Sequence, residues 1–410
     1  MLPETHPIRV LMLTPDYPPK IVGGCALSCQ LLVEGLRSRG IEVDVNVFNG
    51  DEGVVENKMG TTRFFPSSKT LLGLNMLALT SMMDSKDQYD IIHVYNTQQL
   101  PAAVHFGHNK GIKVVGTMNN MTPICLNTAN FDEVECADCD SLDSLKCALQ
   151  RKGPVPMRMF MPMHWLQYAS LHRLTREADA FIALSEATRQ CYLNAGFDEK
   201  RFHLIPNMFD PNVIEMARHS VRTEHEGMQI MYLGRLQIEK GLQVLIRAVP
   251  FMNTKEFKVH LVGKGDYENE LRRLVEEMGV GDRVQFDGFV GREDISRFYS
   301  LADLFVHPAI WPEPFPRTIL ESLAFGVPLV VSSSGSCGEI LGDAGVVFQN
   351  GDEKDLASKL DRLLGDEKAR QRMIESGKSV LSHYSPDSVI SRMIDVYRGL
   401  MSGTSGTPAK

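Results

Sequence analysis

Leu304-Phe305-Val306, Pro312-Glu313-Pro314-Phe315-Pro316-Arg317-Thr318-Ile319-Leu320-Glu321, Gly326-Val327-Pro328 and Leu329-Val330-Val331-Ser332 follow one another in the second half of the chain. A short apolar strand runs into a Pro-rich loop, a helix, a turn and a second apolar strand, which is the βαβ unit of a parallel sheet. The prolines hold Glu313 on the loop, Pro316 suits a helix's first turn, and Glu321 falls about one turn inside that helix. A helix start turns unbonded N–H groups toward a ligand and favours phosphate, while carboxylates beside it favour hydroxyls. Sugar and ribose hydroxyls next to a diphosphate satisfy both. An isolated E-x7-E is more often a loop glutamate plus a solvated helix glutamate, so the rest of the chain has to decide.

Outward from this unit the same plan recurs. The second half offers strands at 230–233, 259–262, 284–286, 304–306, 329–332 and 346–348. The first half offers 8–14, 91–95, 114–117 and 180–184, a helix at about 28–39 stopped by Gly40, and Ile41, Val43, Val45 and Val47 in alternation. Short apolar strands separated by helices imply a parallel sheet covered on both faces. The fold class is therefore α/β, with two doubly wound Rossmann-like domains and a cleft between them as the expected ligand site. The joint is Ile205-Pro206-Asn207-Met208-Phe209-Asp210-Pro211-Asn212, where prolines and turn formers interrupt both periodicities. The expected division is 1–207, 208–385, a C-terminal helix at 386–402 returning towards the first domain, and a disordered Gly/Ser/Thr-rich tail at 403–410.

With 410 residues, 43% hydrophobic, 23% charged and a net charge of −8, the chain has the composition of a soluble globular protein and lacks the basic balance of a nucleic-acid binder. The first residues show no signal pattern, and no apolar stretch reaches the roughly 18 residues of a membrane helix, so a cytoplasmic location is expected. The 8 cysteines are too few and scattered for a disulfide scaffold.

Strand 230–233 leads into Gly234-Arg235-Leu236-Gln237-Ile238-Glu239-Lys240-Gly241, bringing cations to the carboxyl end of a parallel strand, where open α/β sheets bind ligands. Arg235 offers phosphate a planar fork and Lys240 a point charge; the bland reading is a surface loop with solvated cations. Gly263-Lys264-Gly265 lacks the third glycine of a dinucleotide fingerprint, and a tight turn suffices to explain it.

In this order the motifs resemble the retaining glycosyltransferases of family 4, which have the two-domain GT-B fold. The resemblance runs from Tyr17-Pro18-Pro19 and Gly23-Gly24 through Asp90-Ile91-Ile92-His93, Ala178-Asp179-Ala180 and Ile205-Pro206-Asn207 to Gly234-Arg235, Lys240-Gly241, Gly288-Phe289-Val290, the glutamate pair and Gly335-Ser336-Cys337-Gly338-Glu339. It implies transfer of a sugar from a nucleotide-diphosphate sugar, the co-substrate, to an acceptor hydroxyl, with no catalytic cofactor or metal. The acceptor class stays open among glycan, lipid-linked and small-molecule hydroxyls. By the same resemblance Arg235 and Lys240 neutralise the leaving diphosphate and, with Glu313 holding donor-sugar hydroxyls, form the catalytic set. Glu321 bonds the ribose, Phe289 and Val290 flank the base, Gly23 and Gly24 close over the phosphates, and Gly234, Gly263, Asn119 and Phe315 complete the donor site. Two departures stand out. Thr117-Met118-Asn119-Asn120 replaces a usual Thr-x-His-Asp, and Gly335-Ser336 a usual Gly-Gly. The rival readings are a nucleotide-sugar 2-epimerase and a non-catalytic GT-B partner subunit.

Between 121 and 150 lies an insertion carrying Cys125, Cys136, Cys139 and Cys147, either ligands of a structural zinc or packing thiols. Asp138-Cys139-Asp140 within it has the Asp-x-Asp spacing of a metal-dependent transferase but no strand to end. Residues 151–173 mix cations with Met, Phe, Trp and Tyr. Peripheral contact with an inner membrane face and burial as a core helix both remain open, burial being the commoner case.

Overall fold

The computed structural model describes residues 7–19, 23–85, 87–125 and 161–403. The chain forms two compact units, Met1–Met208 with Pro386–Lys410, and Phe209–Ser385. The joint thus falls inside the Pro/Asn segment, and the C-terminal helix belongs to the first unit.

Among the described residues of the first unit, strands β1 (Arg9–Thr14), β2 (Glu42–Val47), β3 (Gly53–Asn57), β4 (Gly60–Phe64), β5 (Ile91–Val94), β6 (Lys113–Met118), β7 (Ala180–Ala183) and β8 (Phe202–Leu204) make one sheet in the order β3-β4-β2-β1-β5-β6-β7-β8. All neighbours run parallel except the β3–β4 hairpin. Both faces of β2 are buried, the polar Asp44 and Asn46 included. Asp44 accepts from Thr61 N at 2.6 Å and Tyr89 Oη at 2.7 Å, and Asn46 Nδ2 donates to Ser81 Oγ at 3.2 Å. Those bonds offset the desolvation of Asp44 and of the Asn46 amide nitrogen, while Asn46 Oδ1 stays buried without a partner among the described residues.

Helix Pro386–Ser402 lays Val389, Ile390, Met393, Ile394 and Tyr397 into the core of this unit. Gly35 on helix Gly24–Ser38 lets it approach, since a Cβ there would sit 2.5 Å from Ile390 Cδ1. His93, fully buried on β5, bonds Tyr397 Oη through Nδ1 at 2.5 Å and Thr117 Oγ1 through Nε2 at 2.7 Å. Burial lowers its pKa to about 3, so it stays neutral.

The second unit is a six-stranded, wholly parallel sheet of β9 (Met228–Leu233), β10 (Phe257–Val262), β11 (Val284–Gly288), β12 (Leu304–His307), β13 (Leu329–Ser332) and β14 (Gly345–Phe348). Their order is β11-β10-β9-β12-β13-β14. This is the doubly wound order in which the chain leaves the centre in opposite directions, opening a crevice at the carboxyl ends of β9 and β12. One face packs Ile230, Tyr232, Val259, Leu261, Leu304 and Val306 into a core closed by helices Leu242–Ala248 and Glu353–Gly365. No helix among the described residues is long and apolar enough to cross a membrane.

Candidate active site

At the crevice between β9 and β12 the loops that carry Lys240 and Glu313 meet. After β9 the chain passes Gly234 and the exposed Arg235, buries Leu236, makes a 3-10 turn over Ile238–Lys240 and reverses at Gly241, whose φ is +70°. A Cβ on Gly241 would lie 1.8 Å from the Pro308 carbonyl oxygen, so only glycine lets this loop meet the one leaving β12. The Glu239 carbonyl then accepts from Ile310 N at 3.1 Å and Trp311 N at 3.3 Å. A third loop locks Glu313 from behind: its carbonyl accepts from Ser336 N at 3.1 Å and Ser336 Oγ at 2.9 Å, and Gly335 has φ +60° against its amide. The serine of Gly335-Ser336 therefore has a defined use.

These loops set a buried pair. Lys240 Nζ donates to Glu313 Oε1 at 2.6 Å, with the side chains 15% and 11% exposed. Burial works against the charge on Glu313, but Lys240 and His307 outweigh it and hold the carboxyl well below its ordinary range. Oε2 makes no hydrogen bond among the described residues. His307 Nε2 lies 3.3 Å from Oε1 but off the hydrogen-bond direction.

The second carboxylate is also buried, 6% exposed, on helix Arg317–Ala324. Pro316 stands at its N-cap rather than inside the first turn. Tyr299 Oη donates to Glu321 Oε2 at 3.2 Å, and Arg292 Nη1 lies 3.5 Å from Oε1. Arg292 also pairs with Asp210, whose carboxylate caps helix Pro211–His219 by accepting from Asn212 N. Three residues before Arg292, Phe289 is 71% exposed beside the half-buried Val290. Phe315 is instead buried, edge-on to Tyr384 at 5.6 Å. Gly263 packs on the β9 loop, its hypothetical Cβ 1.8 Å from the Gly234 carbonyl. The Gly-x-Gly pair thus serves loop-on-loop packing.

The remaining candidates lie in the first unit. Gly23 is the extended N-cap of helix Gly24–Ser38, and both Gly23 and Gly24 are exposed. Asn119, just past β6, donates through Nδ2 to the Tyr95 carbonyl at 2.5 Å and Cys25 Sγ at 3.2 Å. Burial and Asp16 push the Cys25 thiol up to about 12, which the Asn119 bond only partly opposes.

Comparison with known proteins bears on this geometry. The model described as Glycosyltransferase Family 4 matches residues 22–213, and that described as Glycosyl transferases group 1 matches 214–380. The chain belongs to the family 4 glycosyltransferases. An uncharacterized glycosyltransferase of Methanocaldococcus jannaschii is 28% identical over 417 residues, 95% of this chain and 98% of the relative. Sucrose-phosphate synthase from Thermosynechococcus elongatus shares the fold with a TM-score of 0.74 at 20% identity, covering 97% of this chain and all of that one. Anabaena HepE, solved in complex with UDP-glucose, has a TM-score of 0.67 at 19% identity, covering 96% of this chain and all of that one. The fold is GT-B, and the protein is a glycosyltransferase enzyme.

In this family 4 glycosyltransferase the sequence reading missed His307, Arg292, Tyr299 and Asp210. A signal existed for His307, which directly follows an apolar strand run and precedes the carboxylate loop. Arg292 and Asp210 are 82 residues apart and carried none. Of the cysteine set only Cys125 is described; Cys136, Cys139 and Cys147 lie outside the described residues, as do Asp138, Asp140, residues 151–160 and 404–410. The segment's described part is helix Met161–Thr175, where Tyr168 and His172 are buried with their rings 4.3 Å apart and tilted by 60°.

Proposed function

We propose that the enzyme moves a sugar from a nucleotide-diphosphate donor to an acceptor hydroxyl with retention of anomeric configuration and without a metal ion. The observation that carries this reading is the Lys240–Glu313 pair at the β9/β12 crevice, in which Oε1 is taken by Lys240 and Oε2 makes no hydrogen bond among the described residues. A buried carboxylate oxygen selects a hydroxyl donor and repels an anionic group, which suits an uncharged sugar ring. Arg235, exposed on the adjoining loop and without a carboxylate partner among the described residues, would face the diphosphate as it gains charge. Preorganised donors at such a point act where charge develops, and losing one costs about 10²–10³ in rate at comparable sites. Glu321 and Phe289 would take the ribose and base. Transfer proceeds on one face, the leaving phosphate accepting the acceptor's proton, so no side-chain nucleophile is assigned.

Incubation with radiolabelled donors and mixed acceptors tests the reading. Transfer should survive EDTA, and NMR of the first-formed product should show the donor's anomeric configuration. Activity lost on chelation and restored by magnesium or manganese would refute metal independence, inverted product would refute retention, and an epimerised sugar without transfer would favour the epimerase.

A further inference from the structure

His307 ends β12 at the crevice. Leu304 and Val306 of this strand enter the core, and His307 points to the opposite face, where it is 4% exposed. An aliphatic side chain would occupy such a strand end without penalty. The histidine instead leaves both ring nitrogens without a hydrogen bond among the described residues. Leaving a buried polar atom unsatisfied is unfavourable by about 1–3 kcal/mol, so a neutral packing role does not account for the residue. Among the described residues its surroundings offer one partner: Nε2 lies 3.3 Å from Glu313 Oε1, the oxygen already taken by Lys240.

We propose that His307 is a positioning residue for Glu313. A small rotation of the ring aims Nε2–H at Oε1, so that ammonium and imidazole grip one oxygen from two directions and the other faces the donor sugar in a single orientation. Lys240 alone cannot do this, because an ammonium on a flexible stem is a point charge that a carboxylate can pivot around. The carboxylate's terminal torsion is broad and two-fold, so without a second anchor its oxygens exchange roles. The inference rests on the reading of Glu313 as the donor-sugar contact, and it predicts that His307 governs the affinity gained from the sugar, not from the nucleotide.

The test is calorimetric titration of UDP, UDP-glucose, GDP, GDP-mannose, ADP and ADP-glucose into wild type, His307→Phe, His307→Gln and His307→Asn. The glutamine amide nitrogen reaches the place of Nε2, the asparagine nitrogen that of Nδ1. For whichever pair wild type binds, His307→Phe should keep the nucleoside diphosphate within about twofold and weaken the nucleotide sugar about tenfold. Glutamine should restore most of that loss and asparagine little. Unchanged sugar preference in His307→Phe, equal rescue by asparagine, or a parallel loss of nucleoside diphosphate binding would each overturn the proposal. Wild type that binds no nucleotide sugar would instead refute the underlying reading of Glu313, and this inference with it.

Discussion

Lys240→Met should lose both stability and activity, and the stability loss should depend on pH in a direction fixed by Glu313. In the wild type the Glu313 carboxyl is held low by Lys240 and His307 against burial. A depressed folded value contributes stability above the unfolded value of about 4.3, and that contribution disappears as pH falls through the folded value. Without the ammonium, burial becomes the dominant influence and pushes the carboxyl up, so the variant should become less stable as pH rises through neutrality. Removing one partner of a buried pair costs about 3–5 kcal/mol; the low end applies here, because Lys240 and Glu313 keep 15% and 11% side-chain exposure. Urea unfolding at several pH values should show a gap between the two proteins that widens as pH rises from about 4, where the wild-type pair is still intact, to about 3 kcal/mol near neutrality. Adding Glu313→Gln should recover part of the gap, since the orphaned charge is gone. A gap independent of pH, or no recovery in the double variant, would mean that the pair does not behave as a buried ion pair.

Gly241→Ala should be still more disruptive, and the proper control is another glycine. Gly241 and Gly288 have φ of +70° and +76°, so alanine meets the same left-handed strain of about 1–2 kcal/mol at both. Around a Cβ at Gly288 there is nothing within 4 Å, whereas at Gly241 the Pro308 carbonyl oxygen stands at 1.8 Å. Backbone must move to relieve that contact, and the loop that moves carries Glu313. Gly288→Ala should therefore lower stability by only about 1–2 kcal/mol, while Gly241→Ala should exceed about 4 kcal/mol or fail to give soluble protein. Similar thermal shifts for the two would contradict the close approach of the loops.

What the sequence disclosed follows from which forces are local. Strands such as Ala180–Ala183 and Leu329–Ser332 are buried throughout, so their apolar residues stand out as short continuous runs. The β3–β4 hairpin was missed because β3 is wholly exposed, with Val54 and Val55 at 63% and 50%, and no apolar period marks it. Strand β8 has three residues, too few for any pattern. The helix near residue 28 in fact begins at Gly24, since Gly24 and Cys25 carry no capping signal. In the candidate site, Arg235, Lys240 and Glu313 were readable as candidates because they lie on the loops that leave strand ends, and Glu321 because it stands eight positions after Glu313 inside a helix. The Lys240–Glu313 contact itself was not, because it joins residues 73 positions apart through loops whose approach depends on Gly241 and Gly335. Asn119 likewise met Cys25 only through the fold, 94 positions away.

The proposed function requires one crevice to hold a nucleotide sugar with its nucleotide on Glu321 and its sugar on Glu313. The most direct measurement is titration of a nucleoside diphosphate and its matching nucleotide sugar into wild type, Glu321→Ala and Glu313→Ala. Deleting a buried hydrogen-bond partner is unfavourable by about 1–3 kcal/mol, or roughly 5- to 150-fold in affinity. Glu321→Ala should weaken both ligands by such a factor. Glu313→Ala should leave the nucleoside diphosphate unchanged, abolish the extra affinity of the nucleotide sugar and depress turnover. Equal and negligible effects from both substitutions, or a loss of nucleoside diphosphate binding in Glu313→Ala that matches Glu321→Ala, would contradict the account.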